Sequence, residues 1–249
     1  MAINSPLSST NTYYTFNNPA ANTQHLAPSA SHLPYGSNAE EPVTHASNRQ
    51  KRNARPNTGR PYTQAALLGG FRQKWDTMNC VTVTGIKAAM QRFGGPNEVY
   101  FSVQRTHYGF DVRMRDDPKK IYPMTNNELA YAATRSGFTG NNQQILNEAN
   151  FMYAVSAKRA QLENNNGYAA ESFGHALNSL DSWEHTEEGL YRLGLAHYVQ
   201  HTTAQDLLNG APGVIAKNNH VFTVLNGRAD DYGTPGYIPH PRAPALKLR

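Results

Sequence analysis

The chain is 249 residues long, enough for one large domain or two small ones, and carries a formal net charge of +5 from 23 basic and 18 acidic residues. Its single cysteine excludes an intramolecular disulfide and a thiolate zinc cluster. No apolar run reaches the roughly 18 residues of a membrane-spanning helix, and the amino terminus lacks the basic start and apolar stretch of a Sec signal peptide.

Residues 1–60 are rich in Ser, Asn, Thr, Pro and Ala and hold no sustained apolar periodicity. Too little apolar surface is present to offset the entropy of ordering the backbone, so this arm reads as disordered. It also holds the densest basic cluster, Arg49, Lys51, Arg52, Arg55 and Arg60. In such a segment the cluster reads as a solvated linker, which argues against nucleic acid as a partner.

From Tyr62 the pattern changes. Residues 63–75 put Ala66, Leu67 and Phe71 on one helical face. Beyond Asp76-Thr77-Met78-Asn79, the positions Val83, Ile86, Lys87, Met90 and Phe93 recur at three and four, with only Lys87 polar, until Gly94-Gly95-Pro96. That spacing predicts a helix with Cys80 in its first turn. Val99, Phe101 and Val103 alternate, residues 106–109 turn, and Phe110, Val112 and Met114 alternate again, as in a hairpin.

Thr125-Asn126-Asn127-Glu128 has the form of a capping box and predicts a short helix through Ala133. The strongest helix pattern covers 141–162, with Ile145, Ala149, Met152, Tyr153, Ser156 and Ala160 along one side. Further helices are expected over 169–180 and 187–195, and one capped by Thr202-Thr203-Ala204-Gln205 that ends at Gly210. Strands follow at 214–216 and 220–225, the second closed by Asn226-Gly227, a pair that tolerates positive φ and signals a hairpin. From Thr234 onward, Pro235, Pro239, Pro241 and Pro244 argue against regular structure. The predicted class is α+β: a disordered arm over 1–60, a helical half followed by a β-rich half over 61–236, and a Pro-rich tail over 237–249.

A nucleophilic cysteine acts as its thiolate, and the partial positive charge and free amides of a helix amino terminus favour that anion. Cys80 has that position. Of the ten histidines, His220 stands apart. It begins a strand whose hairpin partner, Arg228-Ala229-Asp230-Asp231, brings two carboxylates back alongside it. A carboxylate beside an imidazole fixes its tautomer and supports the cation formed when the ring takes a proton. A two-residue turn pairs Phe222 with Asp231 and selects Asp231; a three-residue turn with a bulge selects Asp230.

In this arrangement the chain resembles the papain-like cysteine proteases, and among them the calpains. Asn219-His220-Val221-Phe222-Thr223-Val224 is similar to the calpain Gly-His-Ala-x-x-Val strand, and Asp230-Asp231-Tyr232-Gly233 to the Asn-x-Trp-Gly after it. Residues 110–118 followed by Glu128 resemble the segment before that family's Glu-containing helix. The resemblance covers about residues 70–236 on short motifs, and implies a papain-like fold with a Cys80, His220 and Asp230 triad. It departs at the oxyanion glutamine, whose place six residues before the cysteine is held by Lys74, with Gln73 one residue further away. Gln73 and the Cys80 amide are the donor candidates, with Asn79 behind them.

The expected activity is thiol-dependent cleavage of a protein substrate, with deamidation, transglutamination or an inactive papain-like binding module as alternatives. No cofactor is expected, because no Gly-rich phosphate loop occurs. His197 and His201, four apart, lack an HExxH pattern and a third ligand, which argues against zinc. The polar, acid-poor leader resembles those of type III secreted effectors. It implies export by a non-Sec route and action in a host cytosol, the alternative being a cytoplasmic protein.

Overall fold

A computed structural model describes residues 60–182 and 184–249. The leader expected to be disordered lies outside these residues except for Arg60. The first elements are helices α1 (Gln64–Gly70), α2 (Cys80–Arg92) and α3 (Pro96–Val99), then strands β1 (Ser102–Arg105), β2 (Gly109–Arg113) and β3 (Tyr122–Thr125). Helices α4 (Asn126–Arg135), α5 (Gln143–Leu162), α6 (Phe173–Leu180) and α7 (Glu188–Arg192) follow. The remainder holds β4 (Val199–Thr203), α8 (Ala204–Leu208), β5 (Gly213–Lys217), β6 (His220–Leu225), β7 (Arg228–Asp231), β8 (Thr234–Pro235) and β9 (Pro244–Leu248). The class is α+β, and among the described residues no helix is long and apolar enough to cross a membrane.

Side-chain oxygens start several of the helices, but not α8, where the expected cap is not made: Thr203 precedes the helix without a side-chain bond to it, and the Thr202 hydroxyl donates to Asp206 instead. Thr63 accepts from the Ala66 amide at 3.2 Å and Asn142 from the Ile145 amide at 3.1 Å. Thr125 and Glu128 exchange both bonds of a capping box, at 3.1 and 3.0 Å, removing two of the amides a helix start leaves unpaired. Helix α5 is buried on nearly every side and forms the centre of the larger core, which α2, α4, α6 and the inner faces of both sheets cover.

β1, β2 and β3 form one antiparallel sheet, and β4-β9-β5-β6-β7-β8 the other. Strands β5 to β8 are joined by three two-residue turns, at Asn218-Asn219, Asn226-Gly227 and Tyr232-Gly233. All six turn residues have positive φ, the backbone that matches the twist of the flanking strands.

The tail expectation is overturned. Residues 244–248 form β9, which lies inside the large sheet between β4 and β5. Pro244 takes the first strand position, where its missing N–H costs least, and Ala245, Leu246 and Leu248 are buried. Strands β3 and β4 also went without a sequence signal, since β3 carries Pro123 at a sheet edge and β4 is mostly polar and exposed at another.

Candidate active site

Helix α2 packs its buried face against β6. Val221 and Leu225 point into the core it shares with α2, and the Thr223 hydroxyl donates to the Thr84 carbonyl at 3.4 Å. On its other flank α2 meets α7 at very close range. A Cβ on Gly189 would lie 2.2 Å from the Val81 carbonyl oxygen, so only glycine allows this approach. These two contacts fix the first turn of α2, and with it Cys80.

Cys80 is the first residue of α2 and is half-buried. Burial pushes its thiol above the usual range; backbone hydrogen bonds from Val221 and Val81 pull it down, and the nearby Glu184 carboxyl pushes it further up. The thiol opens into a cleft of about 440 Å³ that is also lined by Met78, Glu184, Thr186, Val221 and His220. Cys80 and His220, distant in the chain, thus line a common cavity. Among the described residues no hydrogen bond joins them.

Alternation along β6 explains that separation. Val221, Thr223 and Leu225 face α2, whereas His220 and Phe222 belong to the opposite face. His220 meets the cleft from the end of its strand, beside the Asn218-Asn219 turn. Its ring stacks on Tyr232 at 5.5 Å and 23°, and meets Phe222 edge-on at 4.5 Å. Burial lowers its pKa, while the charges of Asp231 and Asp230 oppose that shift. Tyr232 is a bulky residue at φ 50°, an uncommon conformation that costs on the order of 1–3 kcal/mol. It is held by the Gly233 amide, which donates to Asp230 Oδ1 at 2.8 Å, and by the Thr234 hydroxyl, which donates to the Asp231 carbonyl at 2.6 Å.

The register answers the question of the two aspartates. Val224 pairs with Ala229 and Leu225 with Arg228, so the turn has two residues and Asp231 falls on the face of His220. Asp230 turns toward α2, where its Oδ2 is the counter-ion of Lys87. The two side chains are 6% and 1% exposed, so this pair is sealed inside the protein. Asp231 is exposed and makes no ion pair among the described residues.

The oxyanion candidates are arranged differently from the expectation. Gln73 is buried and donates its amide to the Thr77 carbonyl at 3.1 Å; it does not line the cleft. Asn79 is fully buried and donates to the Ser136 carbonyl at 2.9 Å. The first-turn amides of Cys80 and Val81 find no acceptor inside α2 and lie against the Cys80 sulfur.

Nothing among protein-family models, curated proteins and solved structures matches this chain.

Two further charged groups near the site carry weaker sequence signals. Glu184 is buried against Arg192 at the back of the cleft, and burial pushes its carboxyl up to about 8 even against that guanidinium. Lys87 did leave a signal, as the one polar residue on the apolar stripe of α2. A buried ammonium there demands a carboxylate. His197 and His201 fall on a 3₁₀ turn and on β4, not on one helix face. Among the described residues no group of three His, Cys, Asp or Glu could hold a metal ion.

Proposed function

We propose that this chain is a papain-like thiol hydrolase acting on protein substrates, with Cys80 as nucleophile and His220 as general base. The observation that carries the reading is the common cleft: Cys80, at the start of a long buried helix, and His220, at a strand end, line the same cavity. His220 takes the thiol proton and the thiolate attacks an amide carbonyl. The amine leaves with the proton from the imidazolium, and water hydrolyses the thioester. Catalytic contacts that are long without substrate tighten when it binds.

Asp231 supports the imidazolium through its charge, because Asp230 is committed to Lys87. The first-turn amides of Cys80 and Val81 receive the oxyanion. Tyr232 covers the imidazole and keeps its plane.

Incubating the full chain with host-cell protein extract and reading new termini by mass spectrometry tests this. Cys80→Ala should lower cleavage by on the order of 10⁴-fold or more. Cleavage that persists in the variant overturns the reading. A gain of about one dalton on glutamine, without chain scission, reassigns the same residues to deamidation. Delivery by a type III route rests on the composition of residues 1–60 alone; a reporter fused to them that is not exported would remove it.

A further inference from the structure

A second cavity, of about 320 Å³, shares Lys217, Asn218 and His220 with the thiol cleft but excludes Cys80. Its walls are aromatic: Phe222, Tyr232 and Tyr237 line it, with Phe222 and Tyr237 edge to face at 5.4 Å and 88°. Two further features bear on what it would take. The Lys217 ammonium lies 3.9 Å from the centroid of the Tyr237 ring, so that ring face already accepts a cation from the protein itself. The Asp231 carboxylate is exposed and has no ion-pair partner among the described residues.

A π face and an unneutralised carboxylate are together complementary to a cation that carries N–H donors. An aliphatic side chain would fill the rings and leave the carboxylate unanswered. An anion could pair with Lys217 but would meet Asp231 on the other wall. We infer that this cavity is a subsite for an arginine or lysine side chain of the substrate, which displaces Lys217 from the Tyr237 ring. Naming it a substrate subsite rests on the thiol-hydrolase reading; the cation site itself does not.

The two can therefore be tested apart. The full chain carrying Cys80→Ala, which cannot do the chemistry, is titrated with N-acetyl-arginine methylamide, the lysine analogue and the neutral isostere N-acetyl-citrulline methylamide. Backbone amide shifts are followed by NMR. The arginine probe should move the signals of Asp231, Tyr232 and Tyr237 and bind about tenfold more tightly than citrulline. Lys217→Ala should tighten arginine binding by about threefold or more, by removing the internal competitor. Asp231→Asn keeps the shape of the side chain and removes its charge, and should weaken it. Equal affinity for arginine and citrulline, weaker arginine binding in Lys217→Ala, or shifts confined to other surfaces would overturn the inference. Arginine binding beside an inert wild-type enzyme would keep the cation site and remove the hydrolase; cleavage without a basic preference would do the reverse.

Discussion

Cys80 and Lys87 stand two turns apart on one helix and look toward the same pair of strands, yet the two ends of that contact are built differently. At the Lys87 end a cation and the Asp230 carboxylate are sealed together, with side chains 1% and 6% exposed. At the Cys80 end a thiol and an imidazole share an open cavity and make no hydrogen bond among the described residues. A closed ion pair holds geometry; an open, unspent pair is what chemistry requires. The contrast also shows how a carboxylate beside a histidine in sequence becomes a counter-ion elsewhere, since alternation along β7 turns Asp230 to α2 and Asp231 away from it.

The sharpest way to break this comparison is to damage the closed end. Lys87→Met leaves Asp230 buried without a counter-ion and should cost about 3–5 kcal/mol in urea unfolding, whereas Lys87→Met with Asp230→Leu should recover most of that loss. A single variant as stable as wild type would mean that the sealed pair holds nothing.

The open end answers to pH. Burial lowers the pKa of His220, so the ring is neutral and able to accept a proton at neutral pH, and the acid limb of kcat/KM should fall below the usual histidine range of about 6.5. Burial raises that of Cys80, so its alkylation by iodoacetamide should keep climbing past the usual thiol range of about 8.5. A plateau of alkylation near pH 5 would reveal a preformed thiolate–imidazolium pair, making the open end as closed as the other.

The smallest expected effect concerns Glu184. Its charge opposes the Cys80 thiolate, so Glu184→Gln should move the alkylation midpoint to lower pH. An upward movement would mean that the carboxyl reaches the thiol through Arg192 and the packing of α7 rather than by its charge.

Much of this could be read from residues, and the exceptions have physical causes. The stripe Val83, Ile86, Met90 marked α2, the Thr125 to Glu128 box marked the start of α4, and Asn226-Gly227 marked a hairpin; each is a local rule with a local partner. β9 escaped because four prolines outweighed the short alternation Ala245, Leu246, Lys247, Leu248, and only the neighbours β4 and β5 make those residues a central strand. The partner of Gln73 was not legible because spacing from a cysteine does not report which carbonyl captures an amide, here that of Thr77. The fate of Asp230 required knowing both the turn length and that Lys87 would be waiting opposite.

The seat of β9 also sets an order in time. Strands β5 to β8 are neighbours joined by two-residue turns, and such ribbons zip locally within roughly 1–10 μs. Lodging β9 beside β4 closes a loop around that whole ribbon, an event of high contact order and correspondingly slow. His220 thus gains its strand early, and the lining of the thiol cleft is complete once α2 and residues 184–186 dock on the β5–β6 hairpin, since no residue of β9 takes part in it. On refolding, the rate at which Cys80 becomes protected therefore reports on that docking, and a slower phase that leaves the thiol unchanged reports on β9.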